Sequence, residues 1–289
     1  MKHKRLEKAM SVLFLIAALT SIVAVVLICL FLFANGIPAI GKIGAFDFLL
    51  GEKWAPGNVP ASYGIFPMIL GSIYITAGAA LIGVPIGILT SVFLAKYCPK
   101  ALYRILHPAV ELLAGIPSVV YGFFGMVVLV PLIRQVFKAY KINGASILTA
   151  SILLGIMILP TIIGVTEAAI RAVPGSYYEG SLALGASHER SVFRAVLPAA
   201  KSGILAGVVL GIGRAIGETM AVIMVAGNQA RMPAGILKGI RTLTANIVME
   251  MGYAADLHRE ALIATGVVLF VFILLINLLF SVLKRRMKS

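Results

Sequence analysis

Acidic residues are few in this chain. Eleven Asp and Glu stand against 25 Lys and Arg, and charged residues of both signs fill only 12% of the 289 positions. An ordinary soluble domain carries about twice that share, so a water-exposed globular enzyme is excluded as the body of the chain. Cysteine is scarce too: Cys29 and Cys98 lack the spacing of a zinc motif or a thiol relay. The four histidines, His3, His107, His188 and His258, are scattered and offer no metal-ligand spacing. No G-x-x-x-x-G-K-S/T loop is present to cradle nucleotide phosphates. The stretch "GIGRAIG", residues 211–217, has the wrong spacing for a dinucleotide fingerprint, and no strand precedes it. No nucleophile with a base and no paired carboxylates converge, and neither an internal repeat nor a flexible linker is visible. Catalytic residues, a cofactor and a metal are not expected.

What the chain has instead is apolar residues, 60% of the total. A helix needs roughly 20 of them to cross the hydrocarbon core of a bilayer. Charge-free runs cover residues 11–34, 64–95, 112–133, 144–166 and 261–283, and a sixth at 202–230 is interrupted only by Arg214 and Glu218. The expected class is therefore an all-α, polytopic membrane protein with about six transmembrane helices. The first run, 24 residues long, is longer than a signal-peptide core and no small-residue cleavage site follows, so it is expected to stay as a helix. The expected order is a basic amino terminus (1–10), a first spanning helix (11–34), an outer segment (35–63), a five-helix core (64–283) and a basic tail (284–289).

The formal net charge of +14 points to topology rather than to nucleic acid, because the cations sit at helix ends. With six spans, the side holding both termini collects 15 Lys and Arg, among them Lys2, Lys4, Arg5, Lys96, Arg104, Arg171, Arg190 and Lys201. The opposite side collects 9, including Lys53, Arg134, Lys141, Arg231, Lys238 and Arg241. Both termini are expected to be cytoplasmic, in a plasma (inner) membrane whose lipid surrounds the spans. In the outer segment, Phe46, Phe48, Trp54 and Tyr63 suit an interfacial helix followed by a turn-rich cap, which either anchors at the headgroups or docks a soluble partner.

Between the fourth and fifth spans lies "AVPGSYYEGSLALGASHERSVFRAVLP", residues 172–198. Pro174 can open a short helix and Gly185 can end it, leaving Tyr177, Tyr178, Leu182 and Leu184 on a helix too short to span and in want of a groove. This stretch resembles the cytoplasmic signature of the permeases of ATP-binding-cassette importers, a Glu-Ala-Ala, a Gly four residues later and an Ile-x-Leu-Pro ending. Glu179, Gly185, Leu197 and Pro198 match; Gly180 and Ser181 replace the alanines and Ala195 the isoleucine. Likeness is closer in "ELLAGIPSVVYGFFG" (111–125) and "LGIGRAIGETMAVIMVAGN" (210–228), which resemble the C-type permeases of phosphate-specific importers, over the membrane domain from about Tyr63 onward.

That resemblance implies a type I importer permease fold and an ATP-driven system that moves phosphate inward. Its partners would be a second, homologous permease, two cytoplasmic ATP-binding subunits and an extracytoplasmic phosphate-binding protein. Residues 174–198 become the ATPase coupling segment. The resemblance also nominates Ser118 and Tyr121 as hydroxyls for a passing oxyanion. Another oxyanion as cargo, or a stand-alone anion channel, is the alternative; the channel would leave the coupling signature unexplained.

Arg214 and Glu218 are the expected core of the pathway. A cation at the centre of a membrane helix costs roughly 2.5–3.5 kcal/mol even on lenient scales. Counted from Lys201, Arg214 falls about 20 Å into a core of ~30 Å, where alternating access places a substrate. Its planar donors match phosphate oxygens. Read as one helical turn further on, Glu218 would share its face, and would hold Arg214, accept a proton from the anion, or form with it a buried pair that fixes packing. Glu111 and Glu167 read as structural, Glu167 with Arg171 as a partner one turn later.

Overall fold

Apolar runs in lipid must satisfy their own backbone, so they become helices. The computed structural model describes residues 2–286; Met1 and residues 287–289 of the basic tail lie outside it, as do the side chains of residues 2–5, 8, 9 and 283–286. The order begins with α1 (Lys2–Ile43), α2 (Ala45–Leu50) and a hairpin of β1 (Trp54–Ala55) and β2 (Ser62–Tyr63), antiparallel with Trp54 opposite Tyr63. Next come α3 (Phe66–Val92), α4 (Lys100–Gly115), α5 (Ser118–Phe124), α6 (Val130–Val136) and α7 (Ile147–Arg171). The chain ends with α8 (Gly175–Ala183), α9 (His188–Ser191), α10 (Leu197–Gly217), α11 (Met220–Val225), α12 (Leu243–Glu250) and α13 (Asp256–Arg286). Single π-helical turns at Phe93–Tyr97, Gly125–Leu129 and Val192–Val196 extend α3, join α5 to α6 and join α9 to α10.

Among the described residues six helical stretches are long and apolar enough to span: Met10–Ile43, Phe66–Tyr97, Ser118–Val136, Ile147–Arg171, His188–Gly217 and Asp256–Val282. Their number agrees with the charge-free runs, and their edges do not. The first helix passes Gly36 and Pro38 and continues to Ile43, because Gly36 lies hard against Ala264 and Val267 of α13 and that packing holds the helix together. It stops at Gly44, whose φ of +98° suits glycine. The helix thus runs nine residues past the end of the charge-free run at residue 34. The third run breaks at Ile116–Pro117, and its span starts at Ser118.

The core is built on α7, which packs against α3 and α10. Close approach decides these contacts: a Cβ on Gly83 would stand 2.7 Å from the Gly155 carbonyl, and one on Gly211 would stand 2.7 Å from Ile162. A second cluster caps one end, where Phe48, Trp54 and Ile65 are buried with Met68, Leu243 and Leu262. Interfacial anchoring therefore describes Phe48 and Trp54 poorly. Phe48 and Trp54 are core residues, and Phe46 alone of that group is fully exposed. A third cluster, of Val92, Ile170, Val192 and Val196, sits at the other end beside α8.

Candidate functional site

The expected pairing of Arg214 with Glu218 does not form. Helix α10 ends at Gly217, and Glu218 adopts φ −70° and ψ 131°, so the two residues are not one turn apart on a common helix face. The ion pairs among the described residues do not include them. Instead Glu218 turns toward the next element: its Oε1 accepts from the Ala221 amide at 3.3 Å, and its carbonyl accepts from the Thr244 hydroxyl at 3.0 Å. The break follows from the amides at the start of α11, which need an acceptor that a side chain just upstream supplies. Apolarity alone had made residues 202–230 look like one span.

Arg214 occupies the last turn of α10, half-buried, where a cation also suits the negative end of the helix dipole. Its guanidinium donates to the Thr161 hydroxyl at a long 3.4 Å. Thr161 lies 14 residues into α7 and 10 before its end, so at about 1.5 Å per residue Arg214 sits level with the middle of that helix. A discontinuous helix with a cation at its broken end, at mid-depth, is a geometry in which transporters hold substrate. The Tyr121 hydroxyl already donates to the Leu113 carbonyl at 2.8 Å. It has a lone pair to offer and no free proton. Ser118 opens α5 after Pro117 and is half-buried.

Beyond one end of α7, α8 forms as its punctuation requires. Pro174 precedes it, and after it the Gly185 amide donates to Leu182 O (2.9 Å) and the Ala186 amide to Ser181 O (3.2 Å). This double closure needs a left-handed residue at Gly185, whose φ is +81°. Glu179 and Gly180 are exposed, Ser181 is half-buried, and Tyr177 and Leu184 present apolar surface, Leu184 at 90% exposure. Leu197 and Pro198 lie in the first turn of α10. Tyr178 anchors the helix through a 2.7 Å bond to His188 Nδ1, and His188 stacks edge-on against Tyr97 at 4.8 Å. Close by, Glu167 takes the expected Arg171 Nε bond at 2.8 Å and also accepts from Tyr103 at 2.9 Å; Arg171 reaches on to the Leu94 carbonyl. Burial, then the Glu167 bond, pushes the Tyr103 phenol up from its ordinary value. Glu111, exposed, lies 3.6 Å from His107 Nδ1.

Residues 83–289 match the family of binding-protein-dependent transport system inner membrane components. The chain belongs to that family. The permease is 40% identical to the probable ABC transporter permease protein YqgH of Bacillus subtilis, over 91% of this chain and 87% of that one. It is 37% identical to the phosphate transport system permease protein PstC of Mesorhizobium japonicum, over 85% and 80% of the two chains. Among solved structures, the permease superposes on a bacterial alginate ABC transporter with a TM-score of 0.66 at 18% identity, covering 96% of this chain and 95% of that one. An inward-facing MetNI methionine ABC transporter gives 0.61 at 20% identity, over 76% and 94%. These two likenesses establish the type I importer permease fold. The permease is thus a multi-pass membrane subunit of an ABC importer, a transport component rather than an enzyme.

One cluster in the permease carries no motif. Glu250, buried at the end of α12, accepts from Trp54 Nε1 (2.8 Å) and from Arg241 (2.5 Å), and bonds His258 Nε2 (2.9 Å). Arg241 also holds Asn246 Oδ1 at 2.9 Å and the Asn228 carbonyl at 3.1 Å. One carboxylate so ties the hairpin, the loop before α12 and the start of α13. Its partners lie up to 196 residues away in sequence, so the one local signal is scarcity: Glu250 is the single acidic residue between Thr219 and Ala255. No group of metal-ligating side chains occurs among the described residues.

Proposed function

We propose that this permease forms one half of the pathway by which an ATP-driven importer moves inorganic phosphate into the cytoplasm. Arg214 carries the reading: a half-buried guanidinium at mid-depth, loosely bonded, with its planar fork available to an oxyanion. Relatives named as phosphate transport permeases, at 33–37% identity over most of the chain, support phosphate as the cargo. A stand-alone anion channel would not need the exposed α8. The complex holds a second, homologous permease, two ATP-binding subunits that receive α8 in a groove, and an extracytoplasmic phosphate-binding protein. Arg214 recognises the anion, with Glu218, Ser118 and Tyr121 around the path; Glu179, Gly180, Ser181, Gly185, Leu197 and Pro198 serve coupling. Phosphate uptake in a strain lacking only this subunit tests the function. Uptake should vanish and return with the gene, and competition by arsenate but not by sulfate is expected of a site built for this tetrahedral anion. Unchanged uptake in the deleted strain would refute the reading.

Charge bias puts both termini and α8 in the cytoplasm. With Cys29 and Cys98 first replaced by serine, a cysteine at exposed Gly57 should react with a membrane-impermeant thiol reagent from outside, and one at Gly175 only after permeabilisation. The opposite pattern would reverse the topology.

Coupling makes a separate prediction. Gly185→Trp places a large side chain where the backbone is left-handed and the surroundings are open, so it disturbs both the closure of α8 and whatever seats it. Uptake should fall by about tenfold or more while membrane insertion is kept, since a lost close contact costs 1–3 kcal/mol. Uptake equal to wild type in an intact complex would count against α8 as the coupling element.

A further inference from the structure

At the end of α7 opposite α8, two loops meet. The segment after α11 folds back on the start of α7, where Ser146, Ile147 and Leu148 donate their amides to Val225 O (3.0 Å), Lys238 O (3.1 Å) and Ile236 O (2.9 Å). The Ile240 amide returns to Ala226 O at 2.9 Å, and a Cβ on Gly227 would stand 3.0 Å from Gly239, so the two backbones are locked together. Between this segment and the loop before α7 lies a polar cleft of about 110 Å³, lined by Lys141, Asn143, Gln229, Arg231 and Lys238 among others. That volume corresponds to roughly three or four waters of liquid, room for a small tetrahedral anion.

Its electrostatics are one-sided. No acidic residue occurs between Leu112 and Thr166 or between Thr219 and Met249, the stretches that supply both walls. None of the three cations takes part in an ion pair among the described residues. Lys141 has φ +47°, a left-handed conformation uncommon in a non-glycine residue, where it closes the 3-10 turn of Lys138–Tyr140. Asn143 and Gln229 add amide donors. Three exposed cations, none in an ion pair among the described residues, line one cleft, and an anion seated there would be attracted by all three.

We propose that Lys141, Arg231 and Lys238 form a second oxyanion site, for free inorganic phosphate, at the outer mouth of the permease and distinct from Arg214. This rests on the orientation and the cargo proposed above. Twenty-five residues of α7 separate the cleft from the coupling end, and Arg214 lies between them in depth. The cleft holds the anion weakly, since its cations are exposed and screened by salt. A waiting position needs such weakness, because the anion must leave it for the path.

The test uses the assembled transporter in phosphatidylcholine nanodiscs, without binding protein, and measures equilibrium binding of radiolabelled inorganic phosphate. Arg214→Gln is present throughout, so that the inner site is silent. This complex should still bind phosphate, less tightly as salt rises. Adding Lys141→Gln, Arg231→Gln and Lys238→Gln together should raise the dissociation constant about tenfold, as three modest charge contacts would. Unchanged binding in the combined variant overturns the proposal. If phosphatidylglycerol in the nanodisc abolishes phosphate binding, the cleft belongs to a lipid headgroup and the proposal also fails. It fails again if the three substitutions release a purified binding protein and leave phosphate binding intact, because the cleft is then a protein contact. A cleft that binds phosphate in a wild-type complex that transports none would refute the cargo assignment and leave the anion site standing.

Discussion

Replacing Glu250 by alanine will lower the stability of the assembled permease by about 3 kcal/mol, the lower end of what breaking a buried ion pair costs. The loss comes from what remains. Arg241, with its side chain 14% exposed, would keep its charge and lose its carboxylate, and the Trp54 N–H would lose its acceptor inside a closed cluster. Arg241 retains two neutral acceptors, Asn246 Oδ1 and the Asn228 carbonyl, which is why the lower end applies. Glu250→Gln should fall in between, since one amide oxygen can serve one donor while its NH₂ faces Arg241 and Trp54, which are donors themselves. Thermal unfolding of the purified complex checks the order: alanine lowest, glutamine intermediate, wild type highest. Equal midpoints for alanine and wild type would mean that Glu250 does not tie the hairpin to α12 and α13.

That cluster also marks what the sequence could and could not convey. Spans are legible because apolarity is a local property: five of the six lie largely within their own charge-free run, while His188–Gly217 shares only residues 202–217 with the run at 202–230. Helix α8 is legible for the same reason, since Pro174 and Gly185 act on their immediate neighbours. Glu250 is not, because its meaning depends on Trp54 and His258; Trp54 lies 196 residues away along the chain, and only the tertiary fold brings it beside the carboxylate. The break at Gly217 is intermediate. Nothing in "GETMAV" forbids a helix, and hydropathy favours one, yet Glu218 and Thr244 make bonds across the gap that an unbroken helix could not offer. The π-helical turns are illegible for a further reason: "FLAKY", "GMVVL" and "VFRAV" share no residue pattern. Arg214 was conspicuous as a cation in an apolar run, but its neighbour in sequence was mistaken for its neighbour in space.

Arg214 stands without Glu218, at the broken end of α10. If the guanidinium binds phosphate through two parallel donors, Arg214→Lys keeps the charge and loses the fork, and uptake per complex should fall about tenfold or more. Arg214→Gln removes the charge as well; hydrogen bonds to a charged group contribute about 1.5–3 kcal/mol each, so a fall on the order of a hundredfold is expected. Glu218→Gln should do little, because an amide oxygen can still accept from the Ala221 amide and no pairing with Arg214 is lost. A severe loss in that variant at every pH would instead assign Glu218 a proton to carry. If Arg214 only fixes packing, the pattern changes. The long 3.4 Å bond to Thr161 is its one side-chain hydrogen bond among the described residues, so on that reading removing the guanidinium would cost some assembled complex and leave each remaining complex as active as wild type. Phosphate uptake normalised to purified complex separates the two. Wild-type rates per complex in Arg214→Gln would end the case for Arg214 as the phosphate contact, since no anion-recognition role survives the loss of both charge and fork.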